Sequence, residues 1–191
     1  MEVNPFYPFR SVETRDEYLG RYERYAARWP IPSETRTVDT RYGPTFVRLG
    51  GPESAPPLVL LPGATTTGLS WSGMIEPLSK DYRTCAVDNI CDVGRSALTR
   101  PMRSVADLVQ WLGELFTGLG FEKVNLMGAS YGAWMTAQMA LLRPERLRRA
   151  VWVEPGAVVL NTQWSFFARA FIGFLHPALL RRFLPLSSPI R

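Results

Sequence analysis

The sequence predicts an α/β fold built on a doubly wound, mostly parallel sheet, and three observations carry that expectation. Leu58-Val59-Leu60-Leu61 is a continuous apolar run, the pattern of a strand buried on both faces of a parallel sheet rather than the alternation of a half-exposed one. Runs of this kind recur through residue 153 with segments of helical period between them, which is the signature of strand-helix-strand units. The stretch KVNLMGASYGAWMTAQ, residues 123–138, reads as a buried strand, a tight turn and a helix. A serine between two glycines at such a junction is held on a strained turn that exposes its hydroxyl, and only residues with little side chain fit where strand and helix approach.

Taken in order, residues 11–29 place Tyr18, Leu19, Tyr22, Tyr25, Ala26 and Trp29 at helical spacing before Pro30, which predicts an amphipathic helix whose aromatic stripe packs on the core. Residues 34–41 and 45–49 alternate well enough for two strands around the turn Tyr42-Gly43-Pro44, an antiparallel hairpin. Residues 50–57 are a surface loop. The strand at 58–61 leads into the glycine-containing loop 62–68, a helix over 71–79 and a strand over 83–87, completing a strand-helix-strand unit. Residues 88–96 form a loop, 105–119 a helix with Leu108, Leu112, Leu115 and Phe116 on its apolar positions, and 149–153 a last short strand. Residues 1–154 are thereby expected to form one core, with the sheet over 35–154. Residues 155–191, rich in Phe, Leu and Trp but interrupted by Arg169, His176 and Pro177, are expected to begin a helical lid. That run is too short and broken for a membrane span.

Composition narrows the function. With 46% apolar and 20% charged residues the 191-residue chain is an ordinary globular sequence. Its formal charge of +5 is spread over scattered arginines with no basic run interleaved with aromatics, so no nucleic-acid groove is expected. The first residues, MEVNPFYPFR, show no basic segment followed by an apolar one, and a cytoplasmic location is expected. Cys85 and Cys91 suit neither a secreted disulfide framework nor a zinc-site spacing. No cofactor and no metal is expected.

Leu60-Leu61-Pro62-Gly63-Ala64 followed by Trp71, Ala86-Val87-Asp88 through Gly94-Arg95-Ser96, Gly128-Ala129-Ser130-Tyr131-Gly132, and Arg143-Pro144-Glu145-Arg146 together resemble the α/β-hydrolase fold family. The segment Trp29-Pro30-Ile31-Pro32, with Thr40-Arg41-Tyr42-Gly43 and the loop 51–57 after it, is similar to bacterial carboxylesterases of the naproxen-esterase type. The resemblance implies a serine esterase acting on a small-molecule carboxylic ester, with Ser130 as nucleophile. It also implies an oxyanion hole made by the backbone N–H groups of Tyr131 and Ala64. Relatives commonly carry His-Gly where this chain has Pro62-Gly63. Serine at 130 disfavours epoxide and haloalkane chemistry, which needs a carboxylate there.

In that family the triad runs serine, acid, histidine. After Ser130 the acids are Glu145 and Glu154, and the one histidine of the chain is His176. Glu154, at the end of the strand after the nucleophile helix where some relatives carry the acid, and His176, in the lid-like segment rather than on a loop after a final strand, are therefore the candidates for acid and base. Relative to the family fold the chain is expected to be incomplete at its C-terminus. Weak or absent activity follows, because loss of the base in serine hydrolases costs on the order of a million-fold in turnover. The last strand is expected to be a bare edge open to self-association or to a complementing chain. The alternative reading is a hydrolase-fold remnant that acts as a non-catalytic binding module.

Overall fold

A computed structural model describes residues 8–155 of the chain. Its elements follow the expected order. Helix α1, Val12–Ala26, opens on a capping box: the Ser11 hydroxyl accepts the Thr14 N–H, and the Thr14 hydroxyl accepts the Ser11 N–H, so two of the helix's orphan donors are satisfied reciprocally. The helix ends three residues before the predicted Trp29. Pro30 disfavours helical backbone just ahead of it, and the last N–H groups tighten to Arg28→Tyr25 and Trp29→Ala26 bonds of 3.0 Å each. Trp29 then turns under the Arg48 guanidinium, 5.5 Å from its ring centre.

Strands β1, Ser33–Thr40, and β2, Gly43–Gly50, form the antiparallel hairpin. Strand β3, Pro57–Leu61, is followed by a 3-10 turn at Gly68–Trp71, helix α2 at Ser72–Asp81 and strand β4 at Arg83–Val87. Helix α3, Val105–Gly118, begins on a second capping box, Ser104 with Asp107. Strand β5, Val124–Ala129, runs into helix α4, Tyr131–Leu142, and strand β6, Leu147–Val153, closes the described residues. β6 starts two residues earlier than its apolar run, because Arg148 is exposed on a half-covered strand and gives no apolar signal.

These strands form a six-stranded sheet in the order β1-β2-β4-β3-β5-β6. β4, β3, β5 and β6 are parallel, and β2 lies antiparallel to β4. The sheet is wound on both faces, and the period of two along β3 divides the core. Val59 and Leu61 face α3 and α4 in a cluster with Trp111, Leu112, Leu115, Phe116, Met135 and Met139. Leu58 and Leu60 face Trp71 and Ile75 of the α2 side, with Trp29 and Ile31 beside them. Burying each such side chain contributes about 1.5–3 kcal/mol, and this double cover makes β3, β4 and β5 nearly continuous apolar runs.

Among the described residues β6 pairs only with β5, and it leaves Val151 and Trp152 44% and 46% exposed, as expected of an edge. No described helix is long and apolar enough to cross a membrane. The predicted lid, 155–191, lies outside the described residues apart from Pro155.

Candidate active site

The register places four chain segments at one edge of the sheet. Leu61 sits opposite Gly128 and Ala129 opposite Val153, so the loop after β3, the turn at Ser130 and the residue after Val153 meet at the carboxyl ends of the strands. That is where open α/β sheets bind ligands. The loop after β4 joins them there.

Ser130 is exposed and has φ 50° and ψ −111°, a conformation uncommon for a residue with a side chain. Its surroundings enforce it. The Ser130 N–H donates to the Val153 carbonyl at 3.0 Å, and the Ser130 carbonyl accepts the Ala133 and Trp134 N–H groups at 3.0 and 3.2 Å. The flanking glycines are steric requirements. A Cβ on Gly128 would lie 2.0 Å from the Gly132 carbonyl oxygen, and one on Gly132 2.3 Å from that of Leu61. Tyr131 opens α4, where backbone N–H groups point beyond the helix ladder, and its ring stacks on Trp134 at 5.4 Å.

The loop after β3 faces this turn. A Cβ on Gly63 would stand 3.5 Å from the Ser130 Cβ, so the bare glycine edge is what keeps space open above the serine. Ala64 is exposed, and among the described residues its N–H has no acceptor. Thr66 returns to the Gly63 carbonyl through its N–H at 3.4 Å and its hydroxyl at 2.8 Å. The structure therefore sets the Gly63 edge against Ser130, with Ala64 and Tyr131 next to them in the chain.

The candidate acid is not joined to this group. Glu154 follows Val153 and so stands opposite Ser130, with φ 47°, but its side chain is exposed and makes no hydrogen bond among the described residues. His176 lies outside the described residues. Among those residues nothing hydrogen-bonds the Ser130 hydroxyl, and no three His, Cys, Asp or Glu side chains are gathered to hold a metal.

Two carboxylates to which the sequence assigned no role hold the loops. Asp88, buried, accepts the Gly68 N–H on Oδ1 and the Arg95 N–H on Oδ2, both at 2.9 Å. Burial pushes its carboxyl above the usual range, while those N–H groups and the Tyr22 hydroxyl pull it back. Asp92 accepts the Thr65 N–H on Oδ2 at 2.6 Å and the Val93 N–H on Oδ1 at 2.7 Å. Both acids sit in a loop at the carboxyl end of a central strand, and that position was the available signal.

Helix α1 lies over these loops, with Glu23 ion-paired to Arg95 and Tyr22 packed edge-on against Phe46. Its aromatic stripe is only partly core. Tyr25 is 67% exposed, and it lines with Tyr18, Tyr22, Trp29, Thr65 and Thr66 a groove of about 720 Å³ that begins at the Gly63 loop. Ser130 is not among the groove's lining residues.

Known proteins share this fold. A family model described as alpha/beta hydrolase fold matches residues 56–187. Carboxylesterase YbfK of Bacillus subtilis is 36% identical over 169 residues, which is 88% of this chain and 53% of the relative. The crystal structure of that carboxylesterase, CesB (YbfK), superimposes with a TM-score of 0.83 at 30% identity, covering 94% of this chain and 64% of the other. The crystal structure of naproxen esterase from Bacillus subtilis gives a TM-score of 0.82 at 33% identity, over 93% and 61% of the two chains. The chain spans about half the length of the curated relatives it matches.

Proposed function

We propose, from the premise that this chain belongs to the α/β-hydrolase fold family, that it is a carboxylic-ester hydrolase working through an acyl-enzyme on Ser130. The observation that carries this reading is the strained, exposed Ser130 at the β5–α4 junction with the unsubstituted edge of Gly63 across from it. In the proposed step the Ser130 oxygen bonds to the ester carbonyl carbon and gives up its proton to a base. The carbonyl oxygen becomes an oxyanion held by the N–H groups of Ala64 and Tyr131, and its collapse breaks the bond to the alcohol, which leaves with a proton. Water then repeats the sequence on the acyl group. Preorganised donors at the oxyanion are commonly the largest single contribution to such a rate. The groove along α1 supports a substrate whose larger half extends away from the serine past Thr65 and Thr66.

Among the described residues no group contacts the Ser130 hydroxyl, so none of them serves as the base. The 191-residue chain by itself is accordingly expected to hydrolyse short-chain nitrophenyl esters only faintly. Serine hydrolases stripped of their triad keep roughly a thousand- to ten-thousand-fold advantage over water from the oxyanion hole and binding. Turnover at that level, with an acyl group accumulating on Ser130 and none on the Ser130→Ala chain, is the expected result. Robust turnover would show that the catalytic apparatus is complete, and acylation that Ser130→Ala leaves untouched would end the reading.

A second reading rests on the exposed Val151 and Trp152 of β6: a non-catalytic remnant that binds through this edge, or a chain completed by a second polypeptide there. Sedimentation that finds a monomer at all concentrations, with no binding of a hydrophobic dye, is the outcome that counts against it.

A further inference from the structure

We infer that the groove along α1 takes the far end of an ester whose body is apolar and whose far end is an anion, an inference that rests on the acyl-enzyme proposed at Ser130. At about 720 Å³ the groove has the size of a small-molecule site. Its aromatic wall is open: Tyr25 is 67% exposed, and Tyr18 and Trp29 are partly buried. The facing wall carries hydroxyls that are already engaged, since the Thr66 hydroxyl donates to the Gly63 carbonyl and the Thr67 hydroxyl accepts the Leu69 N–H. Walls of this kind suit a flat apolar body.

Charge marks one end of the groove. Arg21 and Arg28 line it, and a smaller hollow that shares Arg21, Tyr25 and Arg28 with it adds Arg24. The Arg28 guanidinium lies 5.9 Å from the Tyr25 ring centre, a cation held over the aromatic wall. Arg21 pairs with Glu17 at 2.6 Å in solvent, whereas Arg24 and Arg28 have no carboxylate partner among the described residues. Residues 155–191 contain no Asp or Glu, and residues 1–7 contain only Glu2. An anion carried in by a ligand therefore meets two unclaimed guanidiniums.

The other end is acidic and leads to the serine. Thr65, on the groove wall, donates its N–H to Asp92 at 2.6 Å, so a carboxylate stands there and repels an anion. Tyr18 belongs to this end, because burial first and then the charges of Asp88 and Asp92 push its hydroxyl up to about 12. Arg24 lies about 9 Å further along the helix axis, and Arg28 beyond it. Past Thr65 and Thr66 comes Gly63. The point where a Cβ on Gly63 would stand is 3.9 Å from the Thr66 hydroxyl oxygen and 3.5 Å from the Ser130 Cβ. One bare glycine edge thus separates groove from serine, and a ligand with its anion at the arginines presents its uncharged end to Ser130.

The test uses the whole chain and two pairs of probes. Equilibrium dialysis reads the binding of biphenyl-4-carboxylate against that of biphenyl-4-carboxamide. Intact mass reads how fast Ser130 is acylated by 4-nitrophenyl 4-(4-carboxyphenyl)butanoate against the same ester with a carboxamide in place of the carboxylate, with Ser130→Ala as the blank. In both pairs the anion is expected to be favoured about fivefold, the scale of an exposed ion pair, and less so at high salt. Arg24→Gln with Arg28→Gln should remove the preference. Arg148→Gln with Arg149→Gln, equally exposed at the start of β6, should keep it. The inference is overturned if the carboxylate is not preferred, if the preference survives replacement of Arg24 and Arg28, or if the β6 pair abolishes it equally. Arginine-dependent binding without an anionic preference in acylation also overturns it, because the groove then does not serve the serine. If neither ester acylates Ser130, or the blank is acylated equally, the nucleophile assignment fails. Dialysis then judges the groove alone: a preference that depends on Arg24 and Arg28 upholds the anion site, and its absence refutes it.

Discussion

Gly132→Ala should damage the fold and Gly63→Ala should not, although both place one methyl group beside the same serine. A Cβ on Gly132 would lie 2.3 Å from the Leu61 carbonyl oxygen and 2.7 Å from both the Leu61 carbonyl carbon and the Pro62 oxygen. Ordinary non-bonded contacts are near 3.5 Å, so the methyl demands a displacement of about 1 Å. All three atoms are backbone, and β3 cannot yield because it is paired on both sides, to β4 and β5. The displacement falls on α4 and moves Ser130 with it. Overpacking costs about 1–3 kcal/mol, and two rigid backbones in contact put this case near 3 kcal/mol. For a chain of this size each kcal/mol lowers the melting temperature by about 2–4 °C, so a fall of about 6–12 °C is expected by circular dichroism. On Gly63 the nearest atom would be the Ser130 Cβ at 3.5 Å, an ordinary contact. That variant should melt within about 2 °C of the parent, as changes under about 0.5 kcal/mol do, yet lose Ser130-dependent ester hydrolysis because the methyl fills the space over the serine. A Gly132→Ala chain melting with the parent, or a Gly63→Ala chain falling as far, would refute the steric reasoning.

Two further expectations concern the support of the site. Asp107 accepts the Arg103 and Ser104 N–H groups and the Tyr42 hydroxyl, and these bonds, the Arg103 N–H foremost, hold its carboxyl down at about 2. Its stabilisation is therefore full above the unfolded carboxylate value of about 3.9 and is lost as pH falls through about 2; melting temperatures of the parent and Asp107→Asn should converge between pH 4 and pH 2, and a gap independent of pH would contradict this. The fully buried Trp111 indole donates to the Thr45 hydroxyl at 2.8 Å, so Thr45→Val strands a buried donor and should cost about 1–3 kcal/mol in urea unfolding, whereas a loss under about 0.5 kcal/mol would show the bond to be replaceable.

The sequence disclosed those parts of the molecule in which each residue's neighbour along the chain reports its surroundings. β3, β4 and β5 are buried on both faces, so their apolar runs mark them directly, and the glycines around Ser130 are demanded by contacts of 2.0–2.3 Å that no other residue allows. Where the environment is set at long range the pattern is silent. The antiparallel pairing of β2 with β4 leaves no trace in either strand's composition. Asp92 and Thr65 are 27 residues apart, and a carboxylate that braces a distant turn looks like any polar loop residue. Tyr25 sits at a core-like helical spacing yet borders a groove, because periodicity marks one face of a helix without saying whether protein or open space lies against it. Glu154 was legible as a residue at a strand end; its exposure and its lack of a partner among the described residues were not.

The central claim, that Ser130 forms an acyl-enzyme, is most directly tested by the intact mass and peptide map of the chain after exposure to nitrophenyl acetate. One acetyl group is expected, on the peptide carrying Ser130, absent in Ser130→Ala and reduced in Gly63→Ala. Acetylation confined to other residues, or equal acetylation of the Ser130→Ala chain, would contradict it.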